Sequence, residues 1–269
     1  MSAPTRPRPT GPRRSAGAGG ASGDGAARRA WWSTTATSVR HNLPYWPVMV
    51  WNLALWVLLR PRRWFGIDDF PATGAVVRDW KAVRDEALEL RRGGVAVPAF
   101  DQLDPGQRRL TADGGWRSFV LRFGGNDVPA NRALCPTTTA LLDEVPDVYT
   151  AMFSVLEPGT RLPLHAGAIK GVVRFLLPVV VPDDGACRLH LGGVTRVLAE
   201  GEPLYFDDTY PHRAANDAGG ERVTLFVDLV RPMPWPWLDR ANRRFLRRLG
   251  ASRRMLGAVV RAEAATARP

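Results

Sequence analysis

A chain of 269 residues with 45% hydrophobic content can bury one sizeable core, which excludes an extended or wholly disordered protein. The net charge of +11 sits at the ends: residues 1–40 hold seven Arg and one Asp (+6) and residues 231–269 hold ten Arg, one Asp and one Glu (+8), leaving 11 − 14 = −3 for the middle. Basic ends on a mildly acidic domain suit an anionic membrane surface, and with no aromatic-basic motif beside them they argue against a nucleic-acid partner.

Residues 1–30 are rich in Pro, Gly, Ala, Ser and Arg and poor in large apolar side chains, too poor to offset their ordering entropy. A disordered tail is therefore expected over 1–42. An apolar segment follows over 43–66. Its core, Leu43–Leu59, carries no charge and is flanked by Arg40 and His41 before and by Arg60, Arg62 and Arg63 after. At ~1.5 Å per residue it is about 25 Å long, slightly short of a membrane span. Trp46, Trp51, Trp56 and Trp64 suit the bilayer interface, whereas Pro44, Pro47 and Asn52 oppose a clean transmembrane helix. The expectation is a membrane-associated protein with a cytoplasmic catalytic domain, or a cytoplasmic one if the segment packs as core. Two cysteines without a CxxC pair, Cys135 and Cys187, fit a reducing compartment.

Apolar residues at helical spacing predict a helix over Trp80–Leu90, with Asp79 as N-cap and Gly93-Gly94 as the stop. A strand is expected over Trp116–Phe123 and a short helix over Pro136–Leu142. From Val148 the pattern changes to strands: Val148–Glu157, Gly171–Val181, Arg188–Leu191, Thr195–Ala199, Glu202–Phe206, Pro211–Ala215 and Arg222–Val230. Short strands at such close spacing, joined by Gly, Pro and Asp turns, indicate a mainly β domain over 67–233, an antiparallel sandwich or jelly roll with flanking helices. Over 234–269 the chain reads as a basic amphipathic helix, Leu238 to Val260, broken or loosened at Gly250.

The chemistry concentrates in two stretches, Ser154 to His165 and Phe206 to His212, with Arg222 ten residues later. Two imidazoles gathered from separate strands, together with a guanidinium, suit a metal that binds an anionic co-substrate. The residue two after His165, where a 2-His-1-carboxylate triad has its acid, is Gly167. His190, on a strand with outward Arg188, reads as structural.

Glu157-Pro-Gly-Thr160 to His165, Arg174, Phe206-Asp-Asp-Thr209 to His212, and Arg222 occur in an order that resembles the aspartyl/asparaginyl β-hydroxylase family of Fe(II)/2-oxoglutarate-dependent dioxygenases. Trp80-Lys-Ala-Val-Arg-Asp-Glu-Ala resembles its helix ahead of the barrel, so the likeness covers roughly 78–233. The resemblance implies a double-stranded β-helix (jelly-roll, cupin-like) barrel with Fe(II) held by His165 and His212 and water completing the shell. It implies that Arg222 and the Ser154 hydroxyl grip the distal carboxylate of 2-oxoglutarate, and that Arg174 neutralises the carboxylate nearest the metal. Leu176 stands where the family often has a histidine. Asp208 would orient an imidazole or form a turn. The Arg/Trp-rich C-terminus resembles the branch that 2-hydroxylates lipid A acyl chains. The implied reaction is hydroxylation of an unactivated C–H of a lipid acyl chain or an aspartyl/asparaginyl-type substrate. Two alternatives stay open: a soluble amino-acid, peptide or natural-product hydroxylase, and a catalytically silent jelly-roll binding protein.

Overall fold

The computed structural model describes residues 46–103, 110, 114–182 and 185–266. The tail expected over 1–42 and residues 43–45 of the apolar segment lie outside them. Eleven strands are present among the described residues: β1 (Trp64–Phe65), β2 (Trp116–Phe123), β3 (Asn126–Asp127), β4 (Val148–Leu156), β5 (Arg161–His165), β6 (Val172–Val180), β7 (Cys187–Leu191), β8 (Val194–Val197), β9 (Leu204–Phe206), β10 (His212–Asn216) and β11 (Arg222–Val230). They form a seven-stranded sheet in the order β1-β9-β6-β11-β4-β2-β3 and a four-stranded sheet in the order β5-β10-β7-β8. All pairings are antiparallel. The jelly-roll barrel expected from the sequence is the fold observed.

The large sheet is buried on both faces, which is why β4 is buried at all nine positions and reads as a continuous apolar run. Its outer face presents Phe153, Phe175, Leu177, Leu225 and Val227 to a layer of helices. Its inner face presents Met152, Leu156, Leu176 and Phe226, which meet Leu162, Leu189 and Leu191 of the small sheet. The barrel interior is the space between these two sets.

The outer layer includes α2 (Gly74–Arg78), α3 (Trp80–Arg92), and, after the short α4 (Phe100–Leu103) and α5 (Pro129–Ala133), α6 (Pro136–Asp143). In α3 the predicted stripe of Val83, Ala87 and Leu90 is the buried one. Asp79 stands at the N-cap position but makes no side-chain capping bond there. The capping carboxylate acts between helices instead: both oxygens of Glu86 accept from the backbone N–H groups of Thr137 and Thr138, at 2.7 Å each, on the first turn of α6.

The C-terminal segment is divided at Gly250, one of the two forms expected there, into two helices, α7 (Pro236–Gly250) and α8 (Arg253–Thr266). Each carries its own buried stripe, Leu238, Asn242 and Leu246 on α7 and Met255, Ala258 and Ala262 on α8. The break falls where α7 meets the β2–β3 turn: a Cβ on Gly250 would lie 2.0 Å from the Gly124 carbonyl oxygen. The apolar segment is a 13-residue helix, α1 (Trp46–Leu58), with one side docked on the domain. Among the described residues no helix is long and apolar enough to cross a membrane.

Gly250→Val should force α7 off the β2–β3 turn and cost about 1–3 kcal/mol in urea unfolding. Gly257→Ala, in the middle of α8, meets only the flexible end of Arg261 and should gain up to about 1 kcal/mol.

Candidate metal centre

The first histidine reaches the interior through an irregularity in its strand. His165 pairs with His212, and Leu162 pairs with Ala214, so three steps along β5 match two along β10. In a regular strand, residues three apart point to opposite faces. The extra residue on β5 is a β-bulge, and it lets both Leu162 and His165 turn inward while Leu164 stays exposed. His212 needs no such device: it begins β10, two pleats before the buried Asn216.

The two imidazoles lie with ring centroids 4.1 Å apart and planes inclined by 49°. His165 Nδ1 is 2.7 Å from the Pro163 carbonyl oxygen and His212 Nδ1 is 2.9 Å from that of Tyr210. A carbonyl can only accept, so each Nδ1 carries the hydrogen and each Nε2 keeps its lone pair. Burial pushes the His165 pKa down to about 4, the Pro163 carbonyl opposing and Arg174 reinforcing that shift. Burial, then the neighbouring His165, lowers His212 well below the usual value. Both rings are therefore neutral at neutral pH, the form that ligates a metal. Among the described residues, no cluster of three or more His, Cys, Asp or Glu side chains is placed to hold a metal ion. Within the described residues, His165 and His212 stand together as a pair of imidazoles.

Arg222 lies on the inner face of β11, in line with Thr224, Phe226 and Asp228. Its side chain is buried and neither Nε nor Nη1 has a hydrogen-bond partner among the described residues. Burial lowers its pKa to about 10. An unpaired buried guanidinium costs several kcal/mol unless an anion meets it. This is the feature expected of a site built for a carboxylate that arrives from outside. Ser154 is buried on the adjacent strand, and its Oγ accepts the Trp116 indole N–H at 2.9 Å, which leaves its own hydrogen to donate. The residues present fit both Fe(II) and a dicarboxylate co-substrate.

Arg174 is differently committed from what the resemblance implies. Its guanidinium pairs with Asp208 Oδ2 at 2.7 Å and with Asp228 Oδ1 at 2.8 Å, and stacks 3.7 Å from the centroid of Phe226. Asp208 likewise orients Arg174 and no imidazole with its side chain; backbone carbonyls hold the rings. Burial raises the Asp208 pKa to about 7 despite Arg174, and its Oδ1 has no partner among the described residues. Its carboxylate occupies the space beside Gly167, where an added Cβ would meet Oδ2 at 2.0 Å. His190 is bonded to Thr195 Oγ1 at 2.9 Å, in keeping with a structural part.

Sequence reasoning did not single out Lys170, Asp207 and Arg231 as a unit. Asp207 is fully buried and accepts from Lys170 Nζ at 2.7 Å, Arg231 Nη1 at 2.6 Å, and the backbone and hydroxyl of Thr209. The available signal was that Lys170 is one of only two lysines in the chain. Beside His165 lies a cavity of about 130 Å³, lined by His165, Gly167, Arg174, Asp208 and Asp228 and by the apolar Phe100, Trp116, Phe123, Met152, Ile169, Phe226, Leu249 and Met255; His212, Ser154 and Arg222 are not among its lining residues.

Residues 77–232 match the protein family described as Aspartyl/Asparaginyl beta-hydroxylase. Among curated proteins, the chain is 33% identical over 168 residues to an ornithine lipid ester-linked acyl 2-hydroxylase of Rhizobium tropici, covering 62% of this chain and 60% of that one. It is 30% identical over 163 residues to the aspartyl/asparaginyl beta-hydroxylase of Homo sapiens, covering 58% of this chain and 20% of the relative. The chain thus spans about three fifths and one fifth of the lengths of these relatives. Among solved structures, a sugar phosphate isomerase of the cupin superfamily from Silicibacter pomeroyi aligns over 45% of this chain and 64% of its own, at 18% identity and a TM-score of 0.30.

Two outcomes follow from this geometry. Arg222→Met should raise the stability of the ligand-free protein by about 1–4 kcal/mol in chemical unfolding, because it removes an uncompensated buried charge. In the same assay 2-oxoglutarate should stabilise the parent and leave this variant unchanged. Gly167→Asp should destabilise the protein, since the space is already filled, and Asp208→Gly added to it should recover most of the loss.

Proposed function

The chain belongs to the aspartyl/asparaginyl β-hydroxylase family, and from that premise we propose that it is an Fe(II)- and 2-oxoglutarate-dependent hydroxylase acting on the acyl chain of a membrane lipid. The observation that carries the reading is the pair of neutral imidazoles in the same barrel interior as a buried guanidinium, two of whose nitrogens have no partner among the described residues. When bound, the iron would supply O₂ activation coupled to oxidative decarboxylation of 2-oxoglutarate to succinate, leaving one oxygen atom on the substrate as hydroxyl.

In this reading the Nε2 atoms of His165 and His212 hold the metal, their rings aimed by the carbonyls of Pro163 and Tyr210. Arg222 receives the distal carboxylate of 2-oxoglutarate through its planar fork, and the Ser154 hydroxyl donates to the same group. The Trp116 indole fixes that hydroxyl and stacks on Phe100, ring centroids 4.2 Å apart, which helps exclude water. Arg174 acts as a positioning residue: it holds Asp208 against Gly167 and carries Phe226 on its flat face.

An acyl substrate is supported by the wall of the cavity. Arg174 is the single cation among the described residues lining it, and its guanidinium is already paired with the acids Asp208 and Asp228. An aspartyl carboxylate entering there would find no free counter-charge among them, whereas the apolar lining suits methylene groups. The lipid acyl 2-hydroxylase among the relatives supports the same substrate class. A soluble amino-acid or peptide hydroxylase is the second reading, supported by the human relative.

Anaerobic Fe(II) and 2-oxoglutarate added to the protein should produce a visible metal-to-ligand charge-transfer band, lost in His212→Ala. Acylated membrane lipids should then stimulate succinate formation and gain one oxygen atom by mass spectrometry. Stimulation by an aspartyl peptide and none by lipid would move the assignment to the second reading. Absence of the band in the parent protein would end both.

A further inference from the structure

Helix α1 is amphipathic in an unusual sense: both of its sides are rich in apolar residues, and only one side is covered. The covered side is tied down by polar contacts. The Trp51 indole N–H donates to Asn242 Oδ1 at 3.1 Å, and Trp51 stacks on Phe245 with ring centroids 5.4 Å apart. The Asn52 amide donates to the Ala168 carbonyl at 2.7 Å and accepts from the Lys170 N–H at 2.9 Å. The Trp56 ring lies 3.4 Å beneath Lys170 Nζ. These contacts join α1 to the 166–170 loop, which follows His165 and lines the cavity.

The uncovered side is a stripe of Trp46, Met49, Val50, Leu53 and Val57, one above another at helical spacing, with Leu53 65% and Val57 78% exposed. Scattered single apolar residues on a surface are ordinary, but a continuous stripe of five marks an interaction face. Its surroundings are basic. Arg60 is exposed just beyond the end of α1, and on α7 the exposed Arg248 stands one turn from the Phe245 on which Trp51 stacks, with Arg244 and Arg247 exposed nearby.

We infer that the outer side of α1 lies flat in the interface of an anionic lipid bilayer, with the cavity opening beside it. A 13-residue helix is roughly 20 Å long, short of the ~30 Å hydrocarbon core, and its inner side is bound to protein, so it lies along the membrane and does not cross it. Arginines beside an apolar stripe are complementary to anionic headgroups over acyl chains. The same arginines would repel a second copy of the chain presenting the same face. The docking itself stands apart from the hydroxylase reading; its purpose, presenting a lipid acyl chain to the 166–170 loop, rests on it.

The test is flotation of the full chain with phosphatidylcholine vesicles, with and without phosphatidylglycerol, alongside light scattering for oligomeric state. The parent should float with the anionic vesicles and lose binding in high salt. Leu53→Glu with Val57→Glu should reduce flotation at least tenfold, with the melting temperature and the Fe(II)/2-oxoglutarate band preserved, because both positions face outward. A parent that does not float, or a variant that floats as well as the parent, overturns the inference. So does a parent that is a dimer which the double substitution dissociates. Any of these leaves the iron chemistry to its own assay, and loss of the band in the parent leaves the flotation result standing.

Discussion

The bulge at Pro163–Leu164 is the constraint on which the centre depends. Strand side chains alternate, so a regular β5 pairing Leu162 with Ala214 would send position 165 to the outside. One inserted residue reverses that parity and places the imidazole 4.1 Å from its partner. The hydrogen bond from His165 Nδ1 to the Pro163 carbonyl lies within the same irregularity. Backbone geometry thus sets both where the ring points and which nitrogen is free.

Asp207 and Asp208 are adjacent, both buried, and opposite in character. Burial would raise each, but Arg231 and Lys170 hold Asp207 lowered and ionised, with all its hydrogen bonds satisfied on protein. Asp208 shares the Arg174 guanidinium with Asp228, rises to about 7 through burial and keeps one oxygen without a partner among the described residues. The first is a fixed knot connecting the C-terminal end of β11 and the loop after β5 with the underside of Trp56. The second faces the cavity and is poised between charge states. An isolated charge at either position would be costly, and the difference lies in how many partners each carboxylate has.

Much of this architecture was legible in the sequence because its signals are local. The strands β6 and β11 are long apolar runs, and their predicted ends agree with the observed ones within one residue. Trp80 to Leu90 has the helical stripe that α3 buries. The two histidines and Arg222 were singled out through short motifs, and the structure brings the imidazoles together and leaves two guanidinium nitrogens without a partner among the described residues. What escaped was non-local. Strand β5 carries a proline and a parity break, so no alternation marks it. The partners of Arg174 come from β9–β10 and β11, and nothing in their spacing says that two acids will share one guanidinium. Gly250 read as a break or loosening of the C-terminal helix and the helix does divide there, but the carbonyl of the distant turn against which Gly250 packs could not be read from the spacing. The two sides of α1 could not be told apart from composition, since both are apolar; only Asn52 hinted at which one faces protein.

Pro163 also has a bearing on how the protein behaves in a crowded solution. It sits on β5, the outermost strand of the small sheet, and it is exposed. With no amide hydrogen to offer, it blunts a border that would otherwise recruit strands from other molecules. Replacing it would restore a donor to that border and disturb the carbonyl that aims the first imidazole. Resistance to edge pairing and the aim of the first imidazole are therefore vested in one ring, and selection for either would preserve the other.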